Sequence, residues 1–379
     1  MKVSINIQGD EIIMKQEINQ TKVLLSKVVV LIPSLEPDEM MVRYVNQLHE
    51  VGFEKIVLVN DGSDSSYDSL FAEVADKVSV LKHAVNQGKG RALKTGFHYI
   101  LNTYSEEEIA GVVTADADGQ HSVEDTVKVS LRLVEEGSFV LGTRNFNEPQ
   151  VPFKSRNGNK ITTQVFKLLY GKLINDTQTG LRGIPYSYIK DCLKLPGERF
   201  EYEIHMLIDA IQKKLQISEV LIQTIYYDSN RATHFSAVKD SIRIYKVIFT
   251  NFLQFSISGI LSFLIDIIIF SILTKCILVN LDVTISVLIG TVVARVISSI
   301  CNYSMNRQIF RNEGAVKHSI IRYYTLCVAQ LLVSWGLVVC VFNQVQWDTT
   351  VIKIIVDMVL FFISYQIQKN WVFRGGKEC

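Results

Sequence analysis

Four apolar stretches near the carboxyl end limit what this chain can fold into: Phe252–Thr274, Val283–Met305, Tyr323–Phe342 and Val351–Ile367. Each is near the length, roughly 20 residues, that a helix needs to cross a bilayer's hydrocarbon core. Inside lipid, backbone N–H and C=O groups must be paired within the segment, so the stretches are expected to be helices. The mean hydropathy of +0.21 blends this part with residues 1 to about 240, whose composition is ordinary for a globular domain. The flanks sort by charge. Lys239, Arg243 and Lys246 precede the first span; Arg307, Arg311, Lys317 and Arg322 join the second and third; Lys369, Arg374 and Lys377 follow the fourth. Asn343–Thr350 has no Lys or Arg, and Thr274–Asp282 has only Lys275. The positive-inside rule then expects a multi-pass protein of the cell membrane with both chain ends cytoplasmic. The first 26 residues lack an apolar signal core, which agrees. Asp266, Arg295 and Asp357 sit within the spans, where charges are costly, so pairing or a functional cavity is expected around them.

Residues 27–236 carry a different pattern. Val28–Ile32 is a continuous run of β-branched and leucine residues, as a strand buried on both faces requires. Ile56–Val59, Val78–Leu81, the run into Asp116 and Val140–Arg144 are further strands, separated by segments of helical length. Polar residues gather just past each strand end. Alternating strands and helices make an open α/β sheet, with a ligand crevice outside the strands' carboxyl ends.

The strand ends are chemically distinct. Glu36, Asp38 and Asp61 can accept bonds from a base or a ribose hydroxyl; helix capping would use the same residue types. Gly88-Lys89-Gly90 lets backbone N–H groups approach a phosphate, though it lacks the Walker spacing and a plain glycine turn would look the same. Asp116, Asp118 and Gln120 alternate after an apolar run, and on an extended strand end they would face one side. Hard oxygen ligands of this kind suit Mg²⁺ or Mn²⁺ and, through the metal, a diphosphate. A polar turn is the plain alternative for that piece alone.

Taken together, Ile32–Glu36, Asn60–Ser63, Asn86–Gly90, Ala115–His121 and Asp176–Arg182 resemble glycosyltransferase family 2, most of all its polyprenyl-phosphate (dolichol-phosphate) sugar transferases. The resemblance implies a GT-A, Rossmann-like α/β domain over residues 27–236. It implies that Pro33, Leu35, Glu36, Asp38, Asp61, Lys89 and Asp116 hold the nucleotide sugar, and that Asp116, Asp118 and Gln120 hold Mg²⁺ or Mn²⁺. The family usually has Asn-Glu where this chain has Glu36-Pro37-Asp38, so either Glu36 or Asp38 could meet the nucleotide. Arg144 and Arg156 match residues that contact the lipid phosphate; Asp118, Arg144, Asp176 and Arg182 are the catalytic candidates. A lipid monophosphate, with a second pKa near ~6, needs no general base, so Asp176 is expected to orient groups rather than take a proton.

Lys154, Arg156 and Lys160 lead into an amphipathic segment, residues 160–172, expected to lie at the membrane surface; a packed surface helix fits the same pattern. Residues 237–251 read as a basic juxtamembrane helix, and the loop Asn230–Ser236 could close over a donor. Residues 252–373 resemble the GtrA-like membrane family: Asn302–Phe310 and Tyr365–Phe373 end the second and fourth spans in similar ways. The net charge of +1 argues against nucleic acid as a partner. Cys192, Cys276, Cys301, Cys327, Cys340 and Cys379 show no metal or disulfide spacing. The expected activity is inverting transfer of one hexose from a UDP- or GDP-sugar to polyprenyl phosphate, supplying lipid-linked sugar for the cell envelope. A homo-oligomer is compatible with this. A processive polysaccharide synthase is disfavoured by the absence of Gln-x-x-Arg-Trp. A transporter or scaffold with a degenerate transferase is disfavoured by Asp116, Asp118, Arg144 and Arg182.

Overall fold

The computed structural model of the protein describes residues 19–149, 151, 153–223, 239–310 and 316–373. The loop Asn230–Ser236, Arg311, Arg374, Lys377, the Lys154 side chain and most of residues 1–26 lie outside that set. The chain falls into two compact units, one up to Ile248 and one from Phe249 onward.

The first unit is built on seven strands among the described residues: β1 (Val28–Ser34), β2 (Lys55–Asn60), β3 (Ser79–Lys82), β4 (Gly111–Thr114), β5 (Phe139–Arg144), β6 (Arg182–Pro185) and β7 (Ile217–Ile222). They form one sheet in the order β3-β2-β1-β4-β6-β5-β7. All neighbours are parallel except β6, which runs antiparallel to β4 and β5. The helices are α1 (Glu39–Val51), α2 (Asp68–Glu73), α3 (Lys89–Thr103), α4 (Val123–Glu136), α5 (Phe153–Tyr170), α6 (Tyr186–Cys192) and α7 (Glu201–Gln212). The five residues Val28–Ile32 are fully buried, as their unbroken apolar run requires. From β1 the chain builds β2 and β3 on one side and β4 on the other, so the order reverses between β1 and β4. A crevice at their carboxyl ends is where an open α/β sheet binds its ligand. The open α/β sheet expected from the sequence is the one observed. The β6 strand was not legible: it has four residues, two of them Gly183 and Pro185.

The second unit contains four helices long and apolar enough to cross a membrane, counted among the described residues. They are α8 (Lys239–Ile272), whose first residues belong to the first unit, α9 (Val283–Ile309), α10 (Val316–Val345) and α11 (Thr349–Ile367). Three of the helices outrun the apolar stretches by several residues into polar sequence, because backbone pairing does not stop where apolar side chains do. The residues read as a juxtamembrane helix are, from Lys239, the start of α8 itself. The intramembrane charges are paired. Asp266 accepts from Ser298 at 3.0 Å and meets Arg295 at 3.5 Å. Asp357 accepts from Ser334 at 2.6 Å and meets Lys353, a cation the sequence reading passed over, at 2.8 Å.

Candidate active site

A cavity of about 430 Å³ opens at the carboxyl ends of β1 and β4. Every residue expected to hold the nucleotide sugar or the metal lines it, and so does Arg144. Asp176, Arg182 and Arg156 do not.

The acidic wall is made by a turn and not by strand pleating, which decides between the two readings the sequence allowed. The β4 strand ends at Thr114; the chain then bends through residues 117–119, with Gly119 at φ 75°. The Gln120 N–H donates to Asp118 Oδ1 at 3.1 Å, which fixes the bend. Asp116 Oδ1 lies 2.6 Å from Lys89 Nζ, and its Oδ2 lies 3.4 Å from His121 Nε2. Lys89, the first residue of α3, also meets Glu203 Oε1 at 3.1 Å. Burial alone would raise the Asp116 pKa, but the Lys89 ammonium and the His121 ring hold it far below the usual carboxylate range. Burial alone would lower Lys89, but Asp116 and Glu203 hold it above its usual value. Asp118 is pushed up, first by burial and then by the charge of Asp116. Negative charge is therefore crowded here. Among the described residues no three His, Cys, Asp or Glu side chains form a complete metal cage. Two carboxylates and the Gln120 amide oxygen are nevertheless the open, hard-oxygen set that Mg²⁺ takes when phosphates and water supply the rest. His121 Nδ1, buried and without a hydrogen-bond partner, is a further polar atom at that wall. The donors present thus fit such a metal.

Another part of the lining is set by Asp61. Its Oδ1 accepts from Gln87 N–H at 3.0 Å and lies 2.7 Å from His83 Nδ1; its Oδ2 accepts from Gly88 N–H at 2.7 Å. Asp61 therefore shapes the glycine turn as well as lining the cavity. Gly88 has φ 102°, and a Cβ there would lie 2.4 Å from the Glu198 carbonyl, so the turn requires glycine. The two readings at Glu36 and Asp38 separate. Asp38 caps α1, accepting from Met40 N–H at 2.9 Å. Glu36 is exposed at φ 47°, and its N–H donates to Ser63 Oγ at 2.8 Å.

The three cations have different surroundings. Arg144 clasps Asp176 through Nε to Oδ2 at 2.7 Å and Nη2 to Oδ1 at 3.2 Å. Asp176 is fully buried behind it, so it braces Arg144 and does not line the cavity. Arg182 is also fully buried and donates to the carbonyls of Thr179 (2.8 Å), Glu203 (2.6 Å) and Thr177 (3.2 Å). It braces the Thr177–Gly180 segment and the Glu203 carbonyl, and it does not line the cavity. Arg156 donates to the carbonyls of Phe146 (3.0 Å) and Glu148 (2.8 Å), which braces the loop after β5 and puts it outside the cavity wall.

The α5 helix begins at Phe153, several residues before the expected start. One face is buried through Thr162, Phe166, Leu169 and Tyr170. Within the first unit it is tied to α8 by Thr162 Oγ1 and Tyr245 OH (2.8 Å) and by Tyr170 OH donating to the Ile248 carbonyl (2.9 Å). Phe153, Ile161 and Leu168 are exposed. Ile161 and Leu168, seven residues apart, share a helix face.

Sequence reasoning passed over Glu203, His121 and Gly180 as site residues. His121 stands inside the quoted Asp116–His121 stretch, so its signal was present; Glu203 comes from α7 and had none. Gly180 is needed because a Cβ there would lie 2.3 Å from Asp116 Oδ2.

Comparison with known proteins gives two family matches: "Glycosyl transferase family 2" over residues 30–192 and "GtrA/DPMS, transmembrane domain" over residues 254–373. An uncharacterized protein of Methanocaldococcus jannaschii is 31% identical over 233 residues, 59% of this chain and 93% of that one. UDP-N-acetylglucosamine–dolichyl-phosphate N-acetylglucosaminyltransferase of Methanococcus voltae is 31% identical over 222 residues, 53% of this chain and 87% of that one. Dolichyl-phosphate beta-glucosyltransferase of Saccharomyces cerevisiae is 27% identical over 220 residues, 51% of this chain and 62% of that one. The chain therefore belongs to glycosyltransferase family 2, among homologues that include dolichyl-phosphate glycosyltransferases, and it carries a GtrA/DPMS transmembrane domain.

Proposed function

We propose that the protein transfers a single hexose from a UDP- or GDP-sugar to polyprenyl phosphate at the cytoplasmic face of the cell membrane, with inversion and with Mg²⁺ or Mn²⁺. The observation that carries this is one cavity whose lining includes both the acid pair Asp116 and Asp118 and the cation Arg144. An acid pair suits a metal-bound diphosphate. An arginine held by a buried carboxylate suits a second phosphate, that of the acceptor. Two relatives named for transfer to dolichyl phosphate support the acceptor class, and their different sugars leave the hexose open. The charge bias of the loops supports a cytoplasmic site.

In this reading Asp116, Asp118 and Gln120 would hold the metal. When bound, it supplies positive charge that stabilises a departing diphosphate. Glu36 serves the nucleotide, because Asp38 is spent on its helix cap. Arg144, fixed by Asp176, holds the acceptor phosphate so that one oxygen faces the anomeric carbon opposite the leaving group. The new C–O bond to the lipid phosphate forms as the bond to the diphosphate breaks. The phosphate is already anionic near neutral pH, so no side chain has to take its proton. The exposed apolar residues of α5 sit in the headgroup layer, and the spans tether the site. The test is to incubate membranes containing the protein with labelled nucleotide sugars and polyprenyl phosphate. Label in the lipid fraction from one donor is expected; label only in polymer would point to a synthase instead.

A further inference from the structure

Lys89 stands on the same carboxylate that the metal would use. Its ammonium is 2.6 Å from Asp116 Oδ1 and 3.1 Å from Glu203 Oε1, and the Lys89 and Glu203 side chains are 13% and 7% exposed. The other oxygen, Oδ2, faces His121 at 3.4 Å and is packed against Gly180, where even a Cβ would lie at 2.3 Å. Asp116 is thus engaged on both oxygens. A divalent cation bonded to it would be brought up against the ammonium, and like charges brought that near repel strongly in a partly buried site.

Resting on the metal reading above, we propose that Lys89 and the divalent cation compete for Asp116, and that the donor's diphosphate relieves the competition by giving Lys89 another anion. Glu203 makes the exchange short. It keeps one end of the ammonium anchored while Asp116 is released, so Lys89 pivots and stays out of water. The Gly88 turn directly precedes Lys89, so the pivot lies where backbone N–H groups can meet a phosphate. Lys89 thereby makes metal and diphosphate bind together: the metal alone meets a cation already seated, and the diphosphate removes it. The coupling is reciprocal, since each ligand then favours the other equally.

The test titrates full-length protein in detergent with Mn²⁺, reading free Mn²⁺ by its paramagnetic resonance signal, with and without UDP or GDP. Lys89→Met keeps an unbranched side chain nearly as long and removes the charge. Mn²⁺ alone is expected to bind it at least tenfold more tightly than wild type, and the added diphosphate should tighten Mn²⁺ binding less than in wild type. Lys89→Arg keeps the charge and should bind Mn²⁺ alone as weakly as wild type. If the Glu203 carboxylate left alone in Lys89→Met prevents folding, the double variant with Glu203→Gln removes that charge and carries the same expectation. Equal Mn²⁺ affinity in wild type and the neutral variants overturns the competition and leaves the metal reading standing. No Mn²⁺ binding by any of them, even with both diphosphates, overturns the metal reading and the competition with it.

Discussion

Replacing Gly180 with alanine adds one methyl group at a place where the structure allows almost none. The new Cβ would lie 2.3 Å from Asp116 Oδ2, 2.8 Å from its Cγ and 3.0 Å from Oδ1. An ordinary contact is near ~3.5 Å, so something must retreat by about 1 Å. The backbone of residue 180 is not in the region reserved for glycine, so alanine can adopt it. The loop cannot easily retreat: Thr114 Oγ1 donates to the Gly180 carbonyl at 2.8 Å, and Gly142 N–H donates to the Leu181 carbonyl at 2.9 Å. The Asp116 carboxylate must move, away from its pairing with Lys89. Overpacking of this kind costs about 1–3 kcal/mol of stability. That is a melting shift of roughly 2–12 °C for a domain of this size, too little to unfold it. Misplacing a catalytic group by about 1 Å can cost ~100-fold in rate. The assay pairs initial rates of sugar transfer into lipid with thermal unfolding in detergent. A folded Gly180→Ala protein that transfers within twofold of wild type would refute the view that Asp116 must stand where it does.

Asp176→Asn keeps the shape behind Arg144 but removes the charge that orients it. The apparent KM for polyprenyl phosphate should rise about tenfold, with nucleotide binding little changed; the reverse pattern would assign Arg144 to the donor. Arg182→Met strands three buried carbonyls and should cost ~3 kcal/mol or more, seen as a melting temperature lower by roughly 10 °C. A variant with unchanged melting would show that the buried fork is dispensable. Replacing both Ile161 and Leu168 with Asp removes two apolar anchors worth about 1.5–3 kcal/mol each if buried in the interface. Transfer to a bilayer-embedded acceptor should fall severalfold, while transfer to a short, water-soluble polyprenyl phosphate is retained. Equal losses on both acceptors would exclude the membrane role of α5.

The sheet was legible because burial on two faces leaves a trace in composition: Val28–Ile32 could hardly be anything else. The cavity was legible because an open α/β sheet concentrates chemistry at its strand ends, and Asp61, Lys89, Asp116 and Arg144 all stand there. Burial of polar groups was not legible. Asp176 and Arg182 carry the same charges whether they meet a substrate or a carbonyl, and only tertiary packing decides which. The partner of Lys89 was hidden for a related reason. Glu203 reaches it from α7, a helix far along the chain whose first turn is held by Arg182 through the Glu203 carbonyl. The bend at Gly119 stayed one of two readings because the alternation of Asp116, Asp118 and Gln120 matches both a strand end and the turn that forms.

The weak repeat in the membrane unit carries a further lesson about what such a pattern encodes. Phe310 follows Tyr303 by seven residues, whereas Phe373 follows Tyr365 by eight. A single π-turn, Gln368–Val372, falls within the longer segment, and a π-turn is how a helix absorbs one extra residue. With that residue absorbed, Phe310 and Phe373 stack at 5.7 Å, and Asn306 Nδ2 donates to Gln368 Oε1 at 3.0 Å. Asn306 also donates to Asn302 Oδ1 at 2.9 Å and accepts from Ser258, and Tyr323 OH donates to Asn302 Oδ1 at 2.8 Å. Asn306 is fully buried. Polar groups in an apolar bundle are tolerable when they satisfy one another, and a satisfied set permits only one register between helices. A one-residue slip of α11 would strand Asn306 and separate the phenylalanines together. The Asn306 end of the repeat therefore acts as a register lock between the two helix pairs. Asn370, exposed and bonded to Gln366 within its own helical turn, makes no such link among the described residues.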